Sequence, residues 1–330
     1  MSKDPLKISI VVPSFNQGHF LEETINSVLN QSYGNYELII IDGGSSDRSI
    51  DIIKKYENHL SYWISEKDSG QSEAINKGLK KTTGDIVTWL NSDDVYEKNA
   101  LQFVADAFDK EQQLKLFHGK TMLFGEKIKN KLVGPDQDFE PHEYLPFMRF
   151  PQPSSFFSKI ALEKITPLNN DLHYAMDFEL VVKLVLLEFK TQRSSEILSR
   201  YRFHPQSKSN NGLAFLKDWS EVFINVLHSL PNGHRFIDKL RHLNISSQKK
   251  ATTYASTIQF SDAQLEAAFL LHLDLHFHHH YKYFNYKECR RIGNFLKKYH
   301  TAFYIRKQYK KYLFRLKFVP KFIYALAGRS

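Results

Sequence analysis

The sequence predicts an α/β fold, a mostly parallel sheet flanked by helices, followed by a mostly helical C-terminal extension. Three observations carry this reading. Through the first hundred positions, short β-branched runs alternate with helical segments of about ten residues, the spacing of a parallel sheet. Polar clusters fall at the carboxyl ends of the strand-like runs, where such sheets bind ligands. Beyond residue 212 almost every segment has helical periodicity. The expected division is therefore a domain over residues 1–210 and an extension over 211–330.

The first strand is Lys7–Val12, a β-branched run that stops at Pro13. Leu21, Ile25, Val28 and Leu29 give Phe20–Asn30 a helical period. Tyr36–Ile41 is the second strand, ended by Asp42-Gly43-Gly44, after which Ser46 and Asp47 offer caps for a helix through Tyr56. A third strand fits Leu60–Ser65, a third helix Ser72–Lys80 and a fourth strand Asp85–Leu90. Short strands are expected at Leu114–His118 and Thr121–Phe124, then a proline-rich stretch, a helix over Ala175–Glu188 and a strand over Ile197–Phe203. Residues 207–212 read as a linker, and no internal repeat is visible.

With 42% hydrophobic and 25% charged residues, the chain is neither disordered nor low in complexity. A single cysteine, Cys289, excludes a disulfide framework or a multi-cysteine metal site. Met1-Ser-Lys-Asp-Pro leads straight into a strand, so no signal peptide is expected. No uncharged apolar run reaches the length of about 18 residues that a spanning helix needs. The expectation is a soluble, cytoplasmic protein. Its net charge of +9 is uneven: residues 281–330 hold 14 Lys/Arg and one acid, Glu288, whereas the first 280 hold 31 basic and 35 acidic residues. Such a basic tail suits an anionic partner.

Asn91-Ser92-Asp93-Asp94 follows the apolar strand Ile86–Leu90. Paired carboxylates there can hold a hard divalent cation through oxygen, or simply cap a helix. Other strand-end clusters share that rim: Ser14-Phe-Asn16, Asp42–Asp47 and Glu66–Gly70. Six segments in order, Val12-Pro-Ser-Phe-Asn16, Leu21–Gln31, Glu37–Asp47, Asp68-Ser-Gly70, Ala74–Gly78 and Gly84–Asp94, resemble the nucleotide-sugar half of a family 2 glycosyltransferase of the GT-A fold.

The resemblance implies an inverting transferase that moves a sugar from a nucleotide-sugar to a hydroxyl of a glycan or lipid-linked acceptor in cell-surface polysaccharide synthesis. It implies that Pro13, Ser14 and Asn16 line the nucleotide pocket and that Asp42 and Asp68 read base and ribose. Gly70, Asn76, Asn91, Ser92 and Asp93 complete the donor contacts it implies. Asp93 and Asp94 would bind Mn²⁺ or Mg²⁺, with His204 in Arg202-Phe-His204-Pro-Gln-Ser-Lys208 as a third ligand or diphosphate contact. Many relatives carry an acid where this chain has Asn91. Asp177 resembles the family's catalytic base, with Glu179 as an alternative, and Gln152-Pro153-Ser154 resembles a segment edging the acceptor site. Family habit points to uridine, with guanosine and thymidine donors also open.

Each residue has a plainer alternative. Asp177 can be an ordinary acid favoured by a helix N-terminus, and His204 can order the turn before Pro205. A non-catalytic nucleotide-sugar scaffold is the alternative for the whole chain, and a nucleotidyltransferase a further one. No G-x-G-x-x-G follows a strand and no G-x-S-x-G occurs, against dinucleotide oxidoreductases and the common hydrolase elbow. His272, His276 and His280 have i, i+4 spacing, but a solvated or interface helix is the favoured reading over zinc. From Phe295 to Leu326, Ala302, Ile305, Tyr309, Tyr312, Leu313 and Leu316 align as a stripe beside Arg306, Lys307, Lys310, Lys311 and Arg315. Such a helix suits an anionic bilayer surface, here the cytoplasmic face of the inner membrane, rather than nucleic acid.

Overall fold

A computed structural model describes residues 4–126, 128–247 and 251–318. The described residues form two units, one of 4–140, 148–210 and 255–258, the other of 141–147, 211–254 and 259–318.

The first unit contains β1 (Ile8–Ser14), α1 (Leu21–Leu29), β2 (Tyr36–Asp42), α2 (Ser49–Lys55), β3 (Tyr62–Ser65), α3 (Gln71–Leu79) and β4 (Ile86–Trp89). It continues with β5 (Val95–Tyr96), α4 (Ala100–Lys110), β6 (Leu116–Phe124), β7 (Lys131–Val133), β8 (Ser155–Ser158), α5 (Lys159–Ile165), α6 (Met176–Leu186) and β9 (Thr191–Arg202). The sheet order is β3-β2-β1-β4-β8-β6-β9-β5, with β7 on β6. Strands β3, β2, β1 and β4 are parallel, and β8 enters antiparallel between β4 and β6.

Alternation along the parallel strands sorts their side chains to two faces. Ile8, Ile10, Val12, Leu38 and Ile40 join Leu21, Ile25, Val28, Ile53, Leu101 and Val104 in one apolar core, which buries α1, α2 and α4. Val11 and Ile41 face the other way, toward α3. There a Cβ on Gly78 would stand 2.3 Å from Val11 Cγ1, so only glycine permits this approach of helix to sheet.

The two short strands expected over 114–124 are one strand, β6, whose register against β9 shifts between His118 and Thr121. The register skips Gly119, where a Cβ would strike Leu198, and pairing resumes at Lys120. Strand β9 begins at Thr191, earlier than its apolar pattern suggests, because parallel pairing with β6 supplies bonds that its exposed N-terminal half could not signal.

The second unit is helical: α7 (Gly212–Ser229), α8 (His234–His242), α9 (Asp262–Lys282), α10 (Tyr286–Tyr299), α11 (Thr301–Arg306) and α12 (Tyr309–Phe318). A capping box of Ser261 and Gln264 starts α9. His272 and His276 on α9 are buried, not solvated. His272 Nδ1–H donates to Pro146 O (3.2 Å), and His276 Nε2 lies 3.2 Å from His272 Nε2 and 2.8 Å from Ser220 Oγ. Among the described residues no group of three His, Cys, Asp or Glu side chains is gathered for a metal.

The expected single stripe along the tail is interrupted. Between α11 and α12 the chain turns at Gln308 (φ 55°), and Tyr309 is driven inward to meet Phe277 edge to face (4.5 Å) and donate to Asp274 Oδ1 (2.6 Å). Lys307 pairs with the same carboxylate. Ile305, Phe314 and Phe318 remain exposed. Residues 319–326 of the expected stripe lie outside the described residues.

Candidate active site

Parallel strands β1, β2, β3 and β4 end on one rim, and each contributes a polar loop. After β1, Asn16 adopts a left-handed conformation (φ 52°). That turn lets its backbone N–H donate to Ser45 Oγ (2.7 Å) while its side-chain oxygen accepts from Ser46 N (2.9 Å), which locks the loops after β1 and β2 together. Pro13 is buried within β1. Ser14 is 3% exposed and its hydroxyl has no partner among the described residues, nor has Gln17 Oε1. Buried polar atoms left unpaired are costly, and these two lie at the rim where β1 ends. Phe15 between them is 59% exposed, an aromatic platform at the rim that the motif reading passed over.

Asp42 departs from expectation. It is fully buried, and its carboxylate accepts from Gly44 N, Ser45 N, Ser45 Oγ and Ser65 Oγ. These bonds make Asp42 a builder of the loop. Asp68 is the carboxylate left available: Oδ1 accepts from Gly70 N (2.9 Å), and a Cβ on Gly43 would come within 2.9 Å of Oδ2. Burial holds the Asp68 carboxyl above its ordinary range. Gly70 (φ 132°) makes the turn into α3. Asn76 is also placed elsewhere: its amide donates to Leu168 O (2.9 Å) and accepts from Leu168 N (2.8 Å), clamping the segment that leads to α6.

The loop after β4 holds two unlike acids. Asp94 is fully buried; Oδ1 accepts from Arg202 N (2.9 Å) and Oδ2 from Asn91 Nδ2 (3.1 Å). Burial, then the charge on Asp93, raises its carboxyl well above the usual range, against the Arg202 and Asn91 donors. Asp93 has an 18% exposed side chain, and its Oδ2 accepts from His204 Nε2 (2.9 Å). The expected metal pair is therefore asymmetric: Asp93 faces outward, while sealed Asp94 supports the loop, and Ser92 is buried with its carbonyl on Thr24 Oγ1. A cation would meet Asp93 Oδ1, which no donor among the described residues engages, and His204 would have to leave Asp93 to join it. One carboxylate plus diphosphate oxygens is a donor set that suits Mg²⁺ or Mn²⁺, so the residues fit such an ion.

Asn91 also accepts from Gln71 Nε2 (2.6 Å), so its amide is a donor toward Asp94 and an acceptor toward α3. An acid here would turn a donor into a second charge beside a buried carboxylate. Asn91→Asp is expected to lower stability by about 1–3 kcal/mol at pH 7. Repulsion raises a folded-state carboxyl pKa, so the penalty exists above the unfolded value and fades as pH falls; urea unfolding at pH 7 and pH 4 checks it.

Asp177 opens α6, half-buried, with Phe178 N–H on its Oδ1 (2.8 Å). Burial pushes its carboxyl up to about 6, partly offset by that N–H and by the Lys208 cation. Glu179 is 2% exposed and paired with Lys183 on its own helix, so it does not substitute for Asp177. Lys208 Nζ donates to Gln71 Oε1 (2.9 Å) and His173 O (3.3 Å). Tyr201 lies in the field of Asp93, Asp94 and Asp177 together, which raises its phenol further above an already desolvated value. No motif flagged that residue.

Gln152, Pro153 and Ser154 are buried. Gln152 Nε2 donates to Trp89 O (2.8 Å), and Ser154 Oγ meets Thr121 Oγ1 and Ser199 Oγ, each at 2.7 Å. These bonds tie the segment to β4, β6 and β9.

The family model described as glycosyl transferase family 2 matches residues 9–121. Among curated proteins, the chain is similar to poly(ribitol-phosphate) beta-N-acetylglucosaminyltransferase TarP of Staphylococcus aureus, 31% identical over 245 residues, 71% of this chain and 67% of that one. Among solved structures it is similar to S. aureus TarS 1–349, with a TM-score of 0.56 at 17% identity, covering 93% of this chain and 89% of that one. It is also similar to the mannosyltransferase PcManGT of Pyrobaculum calidifontis, solved with GDP-Man and Mn²⁺, with a TM-score of 0.53 at 13% identity, covering 98% and 88%. At such identities the structural likenesses establish the fold.

Proposed function

The chain belongs to glycosyltransferase family 2 and has its GT-A fold, and from that membership we propose an inverting transfer of a sugar from a nucleoside diphosphate to a hydroxyl of a surface-polysaccharide acceptor. One observation carries the reading: Lys208 donates to His173 O just ahead of Asp177 and to Gln71, whose amide donates to Asn91 in the loop of outward-facing Asp93, so the two acids sit on tied segments, with the Asp177 carboxyl pushed up to about 6. A base poised near neutrality and a cation-binding acid are the two groups that a single displacement needs.

In this reading the nucleotide lies on Phe15, Ser14 and Asn16, with Asp68 against base or ribose. Asp93 holds the diphosphate end, with His204 and Lys208 beside it. When bound, Mn²⁺ or Mg²⁺ neutralises charge growing on the departing diphosphate. The acceptor oxygen forms its bond to the anomeric carbon as the bond to the diphosphate oxygen breaks. Its proton passes to Asp177, and attack opposite the leaving group inverts the configuration.

A uridine donor is supported by TarS having been solved with UDP-GlcNAc, and the GDP-Man complex of the mannosyltransferase keeps guanosine in the test. Calorimetric titration of UDP, GDP and dTDP is expected to give one strong binder that weakens about 10-fold or more with EDTA. A folded sample binding none would overturn the reading in favour of a non-catalytic scaffold.

The acceptor side is proposed to be a glycan or lipid-linked chain met at an anionic membrane surface. Among the described residues no helix is long and apolar enough to cross a membrane. The supporting patch is Phe314 and Phe318 among Lys310, Lys311, Arg315 and Lys317 on α12. Leu296 and Tyr309 are fully buried, so truncation before them would damage the helical unit, whereas exposed side chains can be changed cleanly. Replacing the four cations by Gln should reduce sedimentation with phosphatidylglycerol vesicles by orders of magnitude, at about 1 kcal/mol per charge. Unchanged sedimentation would remove α12 from the membrane role.

A further inference from the structure

We propose that Arg202 is the positioning residue for the acidic loop, the group that aims Asp93 at the divalent cation and diphosphate of the donor. The proposal rests on the metal-dependent reading above. Arg202 is the last residue of β9, and it holds both acids from one place. Its backbone N–H donates to Asp94 Oδ1 (2.9 Å), while its side-chain Nε–H donates to the carbonyl oxygen of Asp93 (2.9 Å). Asn91 bonds Asp94 and His204 bonds the Asp93 carboxylate. Arg202 fixes the peptide from which the Asp93 side chain departs.

The guanidinium has little freedom. Phe20 lies 4.6 Å from it and Phe124 4.4 Å, so it sits against two rings, and Nη2 donates to Glu23 Oε2 (2.5 Å). The Glu23 side chain is 56% exposed and that of Arg202 14%. An ion pair with so exposed a partner adds little stability, which leaves orientation as the function of this arrangement. Phe20 also packs at a tilt against the His204 ring (4.9 Å), so one aromatic side chain supports both groups that contact Asp93. A planar fork is required: lysine can occupy the space between the rings but has no Nε–H directed sideways at the Asp93 carbonyl.

The test is Mn²⁺ binding followed by electron paramagnetic resonance in the presence of UDP, with transfer kinetics and thermal melts alongside. Arg202→Met keeps an apolar stem against Phe20 and Phe124. It is expected to weaken Mn²⁺ by about 10–100-fold, the usual consequence of losing a residue that orients a metal ligand. The Mn²⁺ concentration for half-maximal transfer should rise in parallel, while kcat at saturating metal falls less. Arg202→Lys should lie between Met and wild type, and it decides the question alone if the Met variant fails to fold. Wild-type metal affinity in folded variants, or a loss confined to kcat, would overturn the assignment and leave the metal reading standing. A wild-type protein that binds no Mn²⁺ would overturn both.

Discussion

Asp177→Asn is expected to abolish most transfer while leaving donor binding intact and making the protein more stable. Loss of a general base costs about 10²–10⁴-fold in rate. The stability gain follows from the same desolvation that suits Asp177 to its task. Its carboxyl stands at about 6 in the folded chain against an ordinary value of 3.8, so at pH 7 the folded state holds a charge that it disfavours. Asparagine keeps an oxygen for the Phe178 N–H and removes that charge, a gain of up to roughly 2 kcal/mol. The sign can be followed with pH. A raised folded pKa favours the folded state below the unfolded value and loses that advantage as pH rises through about 6. The variant's gain should therefore be full at pH 7, shrink below pH 6 and vanish below about 4. In the wild type, kcat/KM should fall tenfold per unit below about pH 6. Urea unfolding and initial rates between pH 4 and 8 check both limbs, and full turnover by the variant would remove Asp177 from the base role.

Asp93→Asn should be comparably severe through a different property. The amide can still accept from His204 but carries no charge for a cation. If Asp93 is the metal-holding acid, transfer should fall by several kcal/mol of transition-state stabilisation, about 10²–10³-fold. Mn²⁺ binding should fall with it. A second consequence separates Asp93 from a bystander. Its charge is the second cause raising the Asp94 carboxyl, so the variant should ionise Asp94 more readily. Carbonyl-edited NMR titration of the remaining carboxylates would detect that shift. Wild-type Mn²⁺ affinity in Asp93→Asn would move the cation elsewhere.

Much of the parallel half was legible because its information is contiguous. Runs such as Ile8–Val12 and Ile86–Leu90 announce buried strands, and the loops that follow them carry recognisable polar clusters. The direction a side chain takes at a strand end is not contiguous information. Asp42 was expected to face a nucleotide, but the N–H groups of Gly44 and Ser45 need an acceptor and draw its carboxylate under the turn. Asn76 was expected in the donor pocket, but its partner is Leu168, ninety-two positions away. Strands β5 and β8 were missed for a related reason. Val95–Tyr96 and Ser155–Ser158 are too short to show a period, and they exist because β9 and β6 offer edges to pair with. The spacing of His272 and His276 leaves a solvated and an interface helix both open, and burial against Ser220 and the Pro146 carbonyl from distant segments decides for the interface.

The segment Pro141–Phe147 belongs to the helical unit although the chain on both sides of it belongs to the sheet, and residues 255–258 make the reverse excursion. The polypeptide therefore passes between the units five times. Had the helical extension been joined by a single linker at 210/211, it could be exchanged between related chains by one recombination event. Interlaced connections remove that modularity. A folded chimera must carry 141–147 along with its C-terminal partner and leave 255–258 behind, so the two units can be engineered only as a matched pair.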